Sequence, residues 1–176
     1  GSSVGGFGPL LGPAAGLVLA DLGADVIKVE PIDGDKTRRL KGSGAGYFAM
    51  YNRNKKSISL NLKDPQALAV VHRLLKTADV FIHNFRPGVV ARLGLGEDDV
   101  RRIRPDIVYA SISGFGENGP FANKPVYDPL VQALSGLTTI QGGSDDARPR
   151  LVRTIVPDKL TGFTTAQAVT AALLHR

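Results

Sequence analysis

Leu19-Ala20-Asp21-Leu22-Gly23-Ala24-Asp25-Val26-Ile27-Lys28-Val29-Glu30-Pro31 is the stretch from which the fold is read. Its first residues complete a helix over residues 9–22, in which Leu10, Leu11, Ala15, Val18, Leu19 and Leu22 recur at helical spacing. Gly23 stops that helix, because glycine accepts the left-handed conformation of a C-terminal cap. Residues 25–30 then change period to a short β-branched run, and Pro31, which cannot donate to a sheet ladder, ends it.

Outward from this helix–strand pair the alternation continues. Residues 33–46 are polar and Gly-rich and read as a loop; residues 57–62 alternate and read as a second strand. Asp64-Pro65 opens a helix as N-cap and first residue, with Leu68, Val71, Leu74 and Leu75 as its inner stripe. Residues 79–83 read as a third strand, residues 88–93 and 97–103 as short helices, and residues 106–112 as a fourth strand. A Gly- and Pro-rich loop runs to Pro125, and helices are predicted over residues 129–137 and 159–175. Strands alternating with helices indicate an α/β fold with a Rossmann-like open parallel sheet flanked by helices. No strand is legible ahead of the first helix, and the last helix reaches His175-Arg176 without a cap, so the sheet reads as incomplete at both ends and the chain as a fragment.

Composition narrows the function classes. The 176 residues fit one domain, and 43% apolar with 22% charged residues is the balance of an ordinary globular protein. No apolar run approaches the roughly 18–20 residues that cross a bilayer, so no membrane role is expected. The first residues lack the basic and apolar regions of a signal peptide. The absence of cysteine excludes disulfides and thiolate chemistry and fits a reducing cytoplasm. A net charge of +6 favours an anionic partner, either nucleic acid or a phosphorylated small molecule, unless it is only a solvated surface. With no tryptophan and no nucleic-acid motif, nucleic acid is not expected.

Open α/β sheets bind ligands beyond the carboxyl ends of their strands, where Glu30, Asn61, Asn84 and Ser113-Gly114-Phe115-Gly116 fall. The last four resemble a phosphate cradle, although no dinucleotide fingerprint or Walker motif is present. His72, His83 and His175 lack ligand spacing, and no metal site is expected. Basic residues cluster at Arg53, Lys55 and Lys56, and again at Arg86 and Arg92. Val156-Pro157-Asp158-Lys159 puts Asp158 at a helix N-terminus. There it serves as an N-cap, or as a nucleophile kept ionised by the helix dipole, or as both.

Several phrases together resemble one family. They are Gly12-Pro13, the opening stretch to Pro31, Asn52-Arg53-Asn54-Lys55-Lys56-Ser57-Ile58, Leu60-Asn61-Leu62-Lys63, Ala78-Asp79-Val80-Phe81-Ile82-His83-Asn84-Phe85-Arg86-Pro87-Gly88 and Ser113-Gly114-Phe115-Gly116. In this order and register they are similar to the class III CoA-transferases, which include formyl-CoA transferase, carnitinyl-CoA transferases and α-methylacyl-CoA racemase. The resemblance implies that residues 9–176 are the N-terminal part of a CoA-binding large domain, that residues 1–8 are an unmatched or non-native start, and that a small domain lies outside this chain. It implies an interlocked homodimer that carries coenzyme A between an acyl-CoA and a carboxylic acid, with CoA as substrate and no permanently bound cofactor.

By position, Leu60, Asn61, Leu62, Lys63, Asn84, Phe85, Arg86, Arg92, Val126, Tyr127 and Asp128 fall on the family's CoA-contacting segments, and Asp158 on its catalytic aspartate. The family often has an arginine where Pro31 stands; Arg38, or Arg39, is the expected substitute. The racemase branch places a histidine beside an aspartate in the segment matching Tyr127-Asp128. A phenol is a poor base at neutral pH, so transferase is favoured over racemase. A non-catalytic CoA- or nucleotide-binding module stays open, and the acyl donor and acceptor are not legible.

Overall fold

The structure is a computed structural model that describes residues 3–7 and 11–176. Pro9 and Leu10, the first residues of the predicted opening helix, lie outside the described residues. Strands β1 (Ser3–Phe7), β2 (Asp25–Glu30), β3 (Lys55–Ser59), β4 (Val80–His83) and β5 (Val108–Ser111) form one parallel sheet in the order β3-β2-β1-β4-β5. That is the order of the first five strands of a doubly wound sheet, with the reversal of winding between β1 and β4. The helices are α1 (Leu11–Asp21), α2 (Tyr47–Asn52), α3 (Pro65–Leu75), α4 (Val89–Arg92), α5 (Glu97–Ile103), α6 (Asp128–Leu134), α7 (Leu137–Gly142) and α8 (Val156–His175).

Strand periodicity divides the core. Val80 and Ile82 of β4 face one side with Ala15 and Leu19 of α1 and Ala166 and Val169 of α8. Phe81, between them in sequence, faces the other side with Val71 and Leu75 of α3, Val90 of α4 and Val100 of α5. All three β4 side chains are fully buried, as expected of a central parallel strand covered on both faces. Among the described residues no helix is long and apolar enough to cross a membrane.

Helices α1 and α8 run side by side in the same direction. At the start of the pair, a Cβ added to Gly162 would stand 2.5 Å from the Ala14 Cβ and 3.2 Å from Ala14 and Ala15 backbone atoms. One turn on, Val18 and Ala166 share a groove, and at the far end Arg176 donates to Asp79, which precedes β4, at 2.9 Å. The first turn of α8 therefore lies at the carboxyl edge of the sheet, where α1 begins. Gly162→Ala should cost about 1–3 kcal/mol by overpacking. Adding Ala14→Gly should recover part of that loss in denaturant titrations, and strictly additive effects would show that the two positions do not meet.

The structure corrects several expectations. A strand does precede the first helix, and it is central; Gly5 and Gly6 disguise it by their poor strand propensity. The second strand ends at Ser59 rather than Leu62. Leu60 makes one more bond to Glu30 O at 2.9 Å, and then Asn61 accepts from Lys63 N and Asp64 N to turn the chain into α3. The stretch after the Gly-rich loop carries α2, a six-residue helix with no polar face to announce it. The helix predicted over residues 129–137 is two helices, broken where Gly136 takes φ +79°. Asp158 is not an N-cap: Ile155 holds that position, without a side-chain bond, and Asp158 is the third residue of α8.

Candidate active site

The carboxyl ends of β2, β3 and β4 open into a cleft of about 640 Å³. Leu60, Asn61, Leu62 and Lys63 form one wall, Phe85 and Leu93 the floor, and residues 29–36 the other wall. Five of the predicted CoA-contacting residues thus meet in one place. Asn84 adjoins the cleft at the end of β4, and Arg86 and Arg92 are exposed beyond it. Gly88 turns the chain there with φ +76°, and a Cβ on it would stand 3.3 Å from the Arg92 guanidinium.

Glu30, at the end of β2, ties the far wall in place. Arg38 forks onto its carboxylate at 2.9 and 2.7 Å, the Asp35 backbone N–H donates at 2.7 Å, and the Ser57 hydroxyl donates from β3. The Arg38 bonds, against the opposing push of burial and helped by Ser57 and the Asp35 amide, hold the Glu30 carboxyl down at about 2. Asp35 is itself buried, pairs with buried Lys28 at 2.7 Å, and accepts from the Thr37 N–H and hydroxyl, both at 2.8 Å. Burial works against its ionised form, but Lys28 and Thr37 prevail and its carboxyl lies below the usual range. Arg38 is therefore committed to Glu30 and stacks on Phe48, 3.7 Å from the ring centre, while Arg39 donates to the Asp33 carbonyl. The cations that line the cleft are Lys36 and Lys63, and sequence reading missed Lys36.

A second group of side chains lies at the same edge of the sheet, around the first turn of α8. Asp128, buried at the start of α6, accepts the Asp158 backbone N–H at 3.2 Å and the Gln132 amide at 2.6 Å. Gln132 accepts from Val152 N at 2.9 Å and donates to Thr154 O at 3.2 Å, fastening the segment that leads into α8. It too was not anticipated, although its place four residues after Asp128 puts both on one helical face. The Asp158 carboxyl is half-buried, and burial, then the Asp128 charge, push it up to about 6. With a value of about 6 the carboxyl is still mostly ionised at neutral pH.

Val126, Tyr127 and Asp128 stand beside Asp158 rather than in the cleft. Tyr127 is 77% exposed. A Cβ on Gly114 would fall 1.8 Å from Val126, so this glycine makes room for Val126. The first basic cluster is structural: Arg53 pairs with Asp21 at 2.6 Å and Lys56 with Asp25 at 2.8 Å. Lys55 donates to Pro13 O and Tyr51 O, each at 2.7 Å, and to Asn52 at 3.2 Å. Burial, followed by the nearby Lys28 charge, pulls its ammonium down to about 7. His83 is buried against Tyr109 at 3.0 Å, and burial lowers its imidazole to about 4.

Comparison with known proteins gives a consistent picture. The profile of CoA-transferase family III matches residues 8–176. A succinate–glutarate CoA-transferase of Agrobacterium fabrum is 42% identical over 94% of this chain and 44% of its own length. A succinyl-CoA:glutarate CoA-transferase of Mus musculus is 42% identical over 95% of the chain and 39% of its own. A crystal structure of Rv3272 from Mycobacterium tuberculosis superposes with a TM-score of 0.91 at 42% identity, covering 100% of this chain and 49% of that one. The chain spans less than half the length of these relatives.

Proposed function

This chain belongs to CoA-transferase family III, and from that premise we propose that it serves to move coenzyme A from an acyl-CoA to a carboxylic acid, with Asp158 as nucleophile. The observation that carries the reading is that Asp158 and the 640 Å³ cleft open at the same carboxyl edge of the sheet. The cleft suits the nucleotide end of CoA. Leu60, Leu62, Phe85 and Leu93 offer an apolar wall to a purine, and Lys36 and Lys63, with Arg86 and Arg92 farther out, offer cations to its phosphates. Arg38 shapes this site through Glu30 and leaves the phosphate role to Lys36.

The thioester would then reach Asp158. Its carboxylate attacks the thioester carbonyl, the C–S bond breaks, and CoA leaves as thiolate from an acyl-aspartyl anhydride. The thiolate attacks the Asp158 carbonyl of that anhydride, releasing the donor carboxylate and leaving an aspartyl-CoA thioester. The acceptor carboxylate displaces the thiolate to give a second anhydride. Return of the thiolate to the acceptor carbonyl yields the new acyl-CoA and restores Asp158. Tyr127, exposed and phenolic, offers no second base for a racemase. The exposed Leu22, Leu160, Phe163 and Leu174 fit burial by further polypeptide of an interlocked homodimer.

The test is mass spectrometry of the full-length protein after incubation with a panel of acyl-CoAs. The expected product is a CoA adduct on the peptide containing Asp158, discharged by the right carboxylic acid. Turnover without any adduct at Asp158 would overturn the mechanism.

A further inference from the structure

Helix α2 brings to the Asp158 site a side chain that no motif singled out. Tyr51 is 5% exposed, and its hydroxyl is buried without a hydrogen-bond partner among the described residues. Leaving such a group unpaired is costly, while a phenylalanine would fill the same space without that cost. Its location follows from two contacts with the start of α1. Lys55 donates both to Tyr51 O and to Pro13 O, which places the end of α2 beside Pro13. The next residue, Ala14, is the one against which Gly162 packs, a single turn after Asp158 on α8. Asp158 has the opposite need: no hydrogen bond reaches its half-buried carboxylate from any described residue, although Asp128 takes its backbone N–H. The site thus holds a donor lacking an acceptor and an acceptor lacking a donor.

We propose that Tyr51 is a positioning residue for acyl transfer, its hydroxyl donating to the ionised Asp158 carboxylate and aiming it at the thioester. This rests on Asp158 being the nucleophile. The phenol is suited to donate: burial first, then Tyr47, Asp158 and Asp128, raise its pKa and keep its proton in place. The other titratable groups acting on the pair are Asp128 from α6 and Tyr47 from α2, whose ring meets that of Tyr51 edge-on at 6.0 Å. Lys55 from β3 directs its ammonium to Asn52 and to the Tyr51 and Pro13 carbonyls.

The experiment is Tyr51→Phe in the full-length protein, followed by acyl transfer from pH 5 to 9, with Asp158→Asn alongside. A hydrogen bond to the charged form favours it, so its loss should move the acid limb of kcat/KM to higher pH. The rate at pH 6 should fall about 5- to 10-fold, with KM for acyl-CoA within about twofold. A profile that overlays the wild type at every pH overturns the proposal. So does a lower Tm with a raised KM and an unmoved limb, which would make Tyr51 structural only. Full activity of Asp158→Asn would sink the mechanism and Tyr51 with it; an inactive Asp158→Asn beside a wild-type-like Tyr51→Phe would sink Tyr51 alone.

Discussion

Asp158→Asn is expected to abolish CoA transfer in the full-length protein, by at least about a thousandfold, while the fold survives. An amide can form neither the acyl anhydride nor the aspartyl-CoA thioester. Little stability should be lost, because Asp158 caps nothing: its side chain makes no bond within α8, and only its backbone N–H is used, by Asp128. The variant should even gain slightly at neutral pH, since the neutral amide relieves the repulsion that helps to hold the Asp158 carboxyl at about 6. That same elevation fixes the pH dependence of the native protein. A nucleophilic carboxylate works only when ionised, so the rate should rise with pH through about 6 and fall away below it. Residual activity above a few per cent in the Asp158→Asn variant would place the nucleophile elsewhere.

What the sequence discloses and what it hides follow from the range of the interactions. Asp25–Glu30, Glu97–Ile103 and the Asp64-Pro65 start of α3 are legible because period, cap and stop residues are local signals. β1 is hidden because a central strand needs backbone pairing more than side chains, and two of its five residues are glycine. The segments expected to contact CoA stand out as phrases, and the structure separates them into the cleft group around Leu60 and Phe85 and the group around Asp128, which meets Asp158. The commitments of the cations were not legible. Arg38, Arg53 and Lys56 read as free basic residues until distant carboxylates fold against them, 8 residues away for Glu30 and 32 and 31 for Asp21 and Asp25. Lys36, two residues before Arg38, lacks such a partner among the described residues and lines the cleft.

Glu30→Gln tests the wall that this pairing builds, and it should be the most destabilising conservative change near the cleft. The Glu30 side chain is 2% exposed and gathers donors from Arg38, Ser57 and the Asp35 backbone. A glutamine would turn one amide N–H₂ toward those donors and strand the Arg38 charge. Breaking a buried ion pair costs about 3–5 kcal/mol. Arg38 is 42% exposed and recovers some hydration, so the lower end, about 3 kcal/mol, is expected at pH 7. The pH dependence has a definite sign. The folded carboxyl sits at about 2, below its ordinary 4.5, so its contribution is complete above 4.5 and drains away as pH falls toward 2. Denaturant titrations should therefore show wild type and variant well separated at pH 7 and converging in acid. CoA affinity should fall with the variant as well, because residues 31–36 lose the anchor that holds them against Leu60 and Phe85. A gap that stays constant with pH, or one smaller than about 1 kcal/mol at neutrality, would mean that Glu30 does not organise the cleft.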